Sequence, residues 1–166
     1  MEFKDKVVVV TGGAHGIGQS IAEDFRKEGA FVEIIDKVQG NHYVGDIASK
    51  ETLELFVSYV LDKHGHIDYL INNALPLMLG IDECSYEEFQ YALSVGVTAP
   101  FYLTKLFKEY FNDDAVIINI LSSRDRMSQL IQKAILQQKV AYQPYTRIND
   151  ESKWKSESEF YFARMD

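Results

Sequence analysis

The sequence predicts an α/β protein on a parallel, doubly wound sheet, and three observations lead there. Apolar, β-branched runs alternate along the chain with stretches whose apolar residues recur at helical spacing. The runs are near-continuously apolar, as strands buried on both faces must be. A glycine-rich turn, "TGGAHGIG" at 11–18, joins the first such run to the first helical stretch. Strands separated by helices pair in parallel through right-handed crossovers, and ligands then sit beyond the carboxyl ends of the strands.

Each element follows in order. "VVVVT" (7–11) is the first strand, and Ile17, Ile21, Ala22 and Phe25 stripe a helix that Gly29 stops. "FVEIID" (31–36) is the second strand, and "HYVGD" (42–46) a weaker third, with no room for a helix between them. Ser49 caps a helix whose apolar stripe is Leu53, Phe56, Val57, Val60 and Leu61. "IDYLINNA" (67–74) is the fourth strand, residues 86–111 form a long helix bent or broken near Pro100, and "AVIINI" (115–120) is the fifth strand.

Composition narrows the function classes. A net charge of -8 argues against a nucleic-acid or anionic-membrane surface as a partner. Cys84 stands alone, which rules out an intrachain disulfide framework. The start "MEFKDKVVVV" has no signal-peptide apolar region and no run reaches bilayer-spanning length, so a cytoplasmic location is expected. His42, His64 and His66 show no metal-ligand spacing with nearby carboxylates, so no metal is expected; His64 and His66 flank a turn and read as solvated.

The glycine turn carries the chemistry. Glycines let the backbone bend sharply and approach a pyrophosphate, whose charge a helix N-terminus favours. Asp36 ends the second strand 18 residues past Gly18, close to the spacing at which an acid meets a ribose 2′-hydroxyl. Together they predict a dinucleotide site. A carboxylate at Asp36 repels a 2′-phosphate, which favours NAD over NADP, although Lys37 and His15 soften that repulsion.

Gly12, Gly16 and Gly18 in T-G-x-x-x-G-I-G, then Asp46-Ile47, then Asn72-Asn73-Ala74, resemble the short-chain dehydrogenase/reductase family. "GVTAPFYLTK" (96–105) and "VIINILSS" (116–123) are similar to its following helix and strand. The resemblance covers about residues 5–129 and implies a Rossmann-type sheet, here incomplete with about five strands. It implies that Thr11, Gly12, His15, Gly16, Ile17 and Gly18 hold the pyrophosphate side. Asp46 would accept from the adenine amino group with Ile47 against the ring, and Asn72, Asn73 and Ala74 would line the nicotinamide-ribose side. Ser122, or Ser123, matches the serine that hydrogen-bonds the substrate carbonyl. The implied partners are a nicotinamide dinucleotide and a small alcohol or carbonyl substrate. The family forms homo-oligomers, which are not expected here because the helix of the missing tyrosine and lysine is half of the usual dimer face.

The chain also departs from the pattern. Gly96 stands at the family's active-site asparagine, and Leu75 at the glycine after Asn-Asn-Ala. No Tyr-x-x-x-Lys, the family's proton-relay pair, follows Ser122; the one match, Tyr59 to Lys63, precedes the fourth strand and reads as coincidence. All ten glycines lie at or before Gly96, and five of eight glutamines fall in 129–143. The sequence therefore divides into a nucleotide-binding domain, 1–129, and a divergent, irregular tail, 130–166. In the tail Ile131, Ile135 and Leu136 keep near-helical spacing within 130–143. Trp154, Phe160, Tyr161 and Phe162 can fold back over the core, but a solvated, disordered end is the expected reading and the fold-back the alternative. A shifted reading frame across Leu130–Ala141 permits a tyrosine at Ala134/Ile135 with a lysine four codons on, so out-of-frame translation is the expected origin, genuine divergence the alternative. Catalysis is expected to be impaired. A nucleotide-binding pseudoenzyme and a non-functional gene product are the competing readings.

Overall fold

The computed structural model describes residues 2–76, 79–80 and 82–120. Five parallel strands form one sheet in the order β3-β2-β1-β4-β5: β1 (Val7–Thr11), β2 (Phe31–Asp36), β3 (Tyr43–Val44), β4 (Ile67–Asn72) and β5 (Phe111–Asn119). The order reverses between β2 and β4 on either side of β1, which opens a crevice at the strands' carboxyl ends. The Rossmann-type α/β architecture is thus present.

Both faces of the sheet are covered. Val8 and Val10 pack under α1 (Gly16–Lys27) with Ala22, Ile34 and Ile71. Val7 and Val9 pack on the opposite face with Phe56, Val60, Leu103 and Phe107, from α2 (Lys50–His64) and α4 (Ala99–Phe107). The four valines of β1 are almost wholly removed from water. Burial of that kind stabilises by roughly 1.5–3 kcal/mol per side chain, so β1 is the axis of the core.

Helix ends follow the sequence closely. Gly29, at φ +91°, turns the chain after α1. Ser49 Oγ accepts from Thr52 N–H at 3.2 Å, and Gly65, at φ +76°, closes α2 through its N–H to Leu61 C=O at 2.8 Å. Ser85 and Glu88 form a capping box at the start of α3 (Tyr86–Leu93).

The fault expected near Pro100 is present, and the bounds of three strands are corrected. The long helix is interrupted before Pro100: Ser94–Thr98 form a π turn between α3 and α4, with Ala99 N–H bonded to Ser94 C=O. A proline lacks an N–H and collides with the carbonyl four residues back, and a widened turn upstream relieves both problems without a break. Strand β4 stops at Asn72 because β1 ends at Thr11, and the next two N–H groups turn to the Thr11 hydroxyl. Strand β5 begins at Phe111, since Asn112 is drawn in to Asp68 and the ladder resumes at Val116 opposite Tyr69. The third strand shrinks to two residues.

His64 is not solvated. Its side chain is 9% exposed and Nε2 lies 2.7 Å from Glu33 Oε1. Lys63 Nζ donates to the same oxygen at 2.7 Å and Tyr59 O–H to Oε2 at 3.0 Å. Burial pushes the Glu33 carboxyl up, but the bonds from Lys63, His64 and Tyr59 outweigh it and hold it below the usual range. The Tyr59/Lys63 match is therefore a tie between α2 and β2. The near-helical tail segment 130–143 and the aromatic end, Trp154, Phe160, Tyr161 and Phe162, expected to be solvated, lie outside the described residues.

Candidate functional site

A cleft of about 240 Å³ opens at the carboxyl end of the sheet. Of the residues singled out in the sequence, Gly12, His15, Gly16, Ile17, Asp36, Asp46, Ile47, Asn73 and Ala74 line it. Ile17 is 44% exposed and faces this opening, so it belongs to the cleft and not to the buried stripe of α1.

Thr11, Gly18 and Asn72 form the support beneath. Thr11 Oγ1 accepts from the Asn73 and Ala74 N–H groups, each at 3.1 Å. Asn73 Nδ2 donates back to the carbonyls of Thr11 at 3.1 Å and Gly12 at 2.9 Å. This exchange locks the glycine turn to the segment after β4. A Cβ on Gly18 would strike the Gly12 carbonyl and the Asn73 amide, so only glycine lets α1 seat this close. Asn72 Nδ2 donates to Asn119 Oδ1 at 2.9 Å, while its buried Oδ1 has no partner among the described residues.

The turn fits an anionic group. Gly16 is at φ +58°, and a Cβ built there would meet nothing within 4 Å, so bare backbone faces open space. The first turn of α1 holds no acid, and its N-cap, His15, makes no side-chain capping bond, which leaves helix N–H groups for a ligand.

Two carboxylates mark the other half of the cleft. Asp36 Oδ2 accepts from Ala14 N–H and Oδ1 from Val38 N–H, both at 3.0 Å. Asp46 Oδ1 accepts from Ala48 N–H and Oδ2 from the Tyr91 hydroxyl, both at 2.9 Å. Neither has a cationic partner within ion-pair distance among the described residues. Each oxygen keeps a lone pair for a further donor.

Tyr91 is a residue that sequence reasoning missed. It lines the cleft from α3, its ring lies 5.6 Å from Lys37 Nζ, and burial followed by the Asp46 bond and charge pushes its hydroxyl up to about 12. No local pattern announces it, because it reaches Asp46 across 45 residues. Ser122 and Ser123 lie outside the described residues. Among the described residues, no three His, Cys, Asp or Glu side chains gather as a metal site, and no helix is long and apolar enough to cross a membrane.

Comparison with known proteins agrees with this architecture. The short chain dehydrogenase family model matches residues 6–147. An uncharacterized oxidoreductase of Thermotoga maritima is 33% identical over 141 residues, covering 74% of this chain and 55% of that protein. The L-fucose dehydrogenase of Mus musculus is 34% identical over 136 residues, covering 72% and 50%. Among solved structures, a ligand-free SCOR enzyme from Clostridium thermocellum superposes with a TM-score of 0.75 at 37% identity, over 82% of this chain and 61% of that one. The chain spans about half the length of the curated relatives it matches. By matched length, motif order and fold alike, the chain belongs to the short-chain dehydrogenase/reductase family of oxidoreductases.

Proposed function

We propose that the cleft binds NAD(H), with NADP disfavoured, in service of oxidoreductase chemistry on a small alcohol or carbonyl. The observation that carries this reading is Asp36. Backbone N–H groups fix its carboxylate at the rim of the glycine turn with no cation in ion-pair reach, so it can accept from a ribose hydroxyl and repel a phosphate there.

Gly16 and the start of α1 would face the pyrophosphate, Asp46 and Ile47 the adenine, and Asn73 and Ala74 the nicotinamide ribose. When bound, the nicotinamide supplies or accepts a hydride. Ser122, or Ser123, would hold the substrate oxygen. The chain has no Tyr-x-x-x-Lys after Ser122 to pass the proton. Tyr91 cannot substitute, because its hydroxyl is held high by burial and by Asp46, and Val95 stands four residues on. Tyr59 and Lys63 are committed to Glu33.

That missing pair favours a second reading, in which the chain binds the coenzyme without turning over substrate, as a sensor or sink. Fluorescence titration with NADH and NADPH, followed by a carbonyl-reduction panel, separates the two. Saturable NADH binding, tighter than NADPH by about tenfold, supports the site; Asp36→Ser should narrow that gap by about tenfold. Turnover reduced by about 10²-fold or more against an intact family member fits the loss of a general acid. Failure to bind NADH would remove the proposal.

A further inference from the structure

Among the described residues that line the cleft, Lys37 is the one lysine or arginine, and it directly follows Asp36. A cation at this place is the natural counter-charge for a 2′-phosphate, yet its ammonium rests over the Tyr91 ring, 5.6 Å from the centroid. The hydroxyl of the same tyrosine donates to Asp46 at 2.9 Å. Tyr91 thus touches two of the three charged groups, Lys37 and Asp46, that stand with Asp36 in this half of the cleft. It sits on the last turn of α3, directly before the π turn at Ser94–Thr98, so its backbone is set by packing and not by a loop.

Resting on the coenzyme site proposed above, we propose that Tyr91 is a specificity-determining residue: its ring retains the Lys37 ammonium, and its hydroxyl orients the Asp46 carboxylate. The ring keeps Lys37 from serving a 2′-phosphate and so preserves discrimination by Asp36. The hydroxyl holds Asp46 in one rotamer, with a lone pair on its oxygen still open to an adenine amino group. These two functions are chemically separable, because phenylalanine retains a ring face and leucine does not.

The test is fluorescence titration of the 166-residue chain and its variants with NADH and NADPH, at matched ionic strength. Tyr91→Phe should weaken both coenzymes by a similar factor, about threefold, and leave their ratio unchanged. Tyr91→Leu should release Lys37 and move the ratio toward NADPH by about three- to fivefold, the amount an exposed cation–π contact is worth. Adding Lys37→Gln to Tyr91→Leu should return the ratio to its starting value. A ratio unmoved in Tyr91→Leu, or one that Lys37→Gln does not reverse, overturns the assignment while the coenzyme site stands. A parent chain that binds neither coenzyme overturns both. Far-ultraviolet circular dichroism of Tyr91→Phe, the gentler variant, guards against a folding artefact, and unequal loss of the two coenzymes in that variant also counts against the assignment.

Discussion

The two ends of the sheet treat their acids in opposite ways. At the amino-terminal end, Asp68 is 2% exposed and surrounded by donors: Lys6 Nζ at 2.9 Å, Val7 N–H at 2.8 Å and Asn112 Nδ2 at 2.8 Å. Burial pushes its carboxyl up, and these bonds together with the Lys6 charge bring it below the usual range. Glu33, early in β2, is tied in the same manner by Lys63, His64 and Tyr59. At the carboxyl-terminal end, Asp36 and Asp46 receive only neutral donors from backbone and phenol. Charge at one end is spent on holding strands and helices together. Charge at the other end is positioned but left uncompensated, the state in which it can read a ligand.

Four measurements can break or sharpen that contrast. The largest effect is expected for Asp68→Ala, which strands three donors and should cost about 3 kcal/mol in urea unfolding. NADH affinity in that variant should stay within about twofold of the parent, since Asp68 lies at the opposite end of the strands. A tenfold loss of affinity would mean the two ends are not independent.

Gly18→Val presents the converse case. The added side chain meets the Gly12 carbonyl and the Asn73 amide, and should lower NADH affinity about a hundredfold, or about 2.7 kcal/mol. Unchanged binding would show that the close seating of α1 is irrelevant to the cleft.

Thr11→Val probes the seam. Losing the hydroxyl leaves the Asn73 and Ala74 N–H groups unpaired under the cleft, for about 2 kcal/mol of stability, together with weaker NADH binding. A stability loss without any change in binding would assign the seam to scaffolding alone.

The smallest effect concerns pH. Glu33 and Asp68 have folded-state values below those of the unfolded chain, so their contribution is fully present above the ordinary carboxylate range and is lost as pH falls through the depressed values. Stability should be flat near neutrality and decline below about pH 4. Glu33→Gln should lower stability at pH 7 by about 1 kcal/mol and flatten the acid decline. An acid limb as steep as the parent's would mean Glu33 contributes nothing to it.

Much of this molecule was readable in advance because local chemistry was sufficient. Ser49 caps α2 where an N-cap oxygen was expected, and Gly29 turns the chain after α1 where a glycine stop was expected. Nine of the predicted site residues meet in one cleft because the glycine turn, Asp36, Asp46 and Asn73 all lie at strand ends, and parallel strands bring those ends together. The readings that failed involve distance. His64 looked solvated beside its turn, yet Glu33, 31 residues earlier in the chain, waits under it. The helix fault expected near Pro100, by contrast, is present, as the π turn at Ser94–Thr98 directly before it.

The order of residues by itself determined which segments are strands and helices, where most helices begin and end, and that a glycine turn followed by Asp36 stands at the sheet's carboxyl end. These depend on backbone preference and on apolar periodicity, which act within a few residues. Tertiary structure alone decided that Tyr91 would bridge Lys37 and Asp46, that Tyr59, Lys63 and His64 would converge on Glu33, and that Asp68 would draw Asn112 into β5. Those pairings rest on strand register and helix rotation, which are set only when the whole sheet packs and every buried charge must find a partner or a purpose.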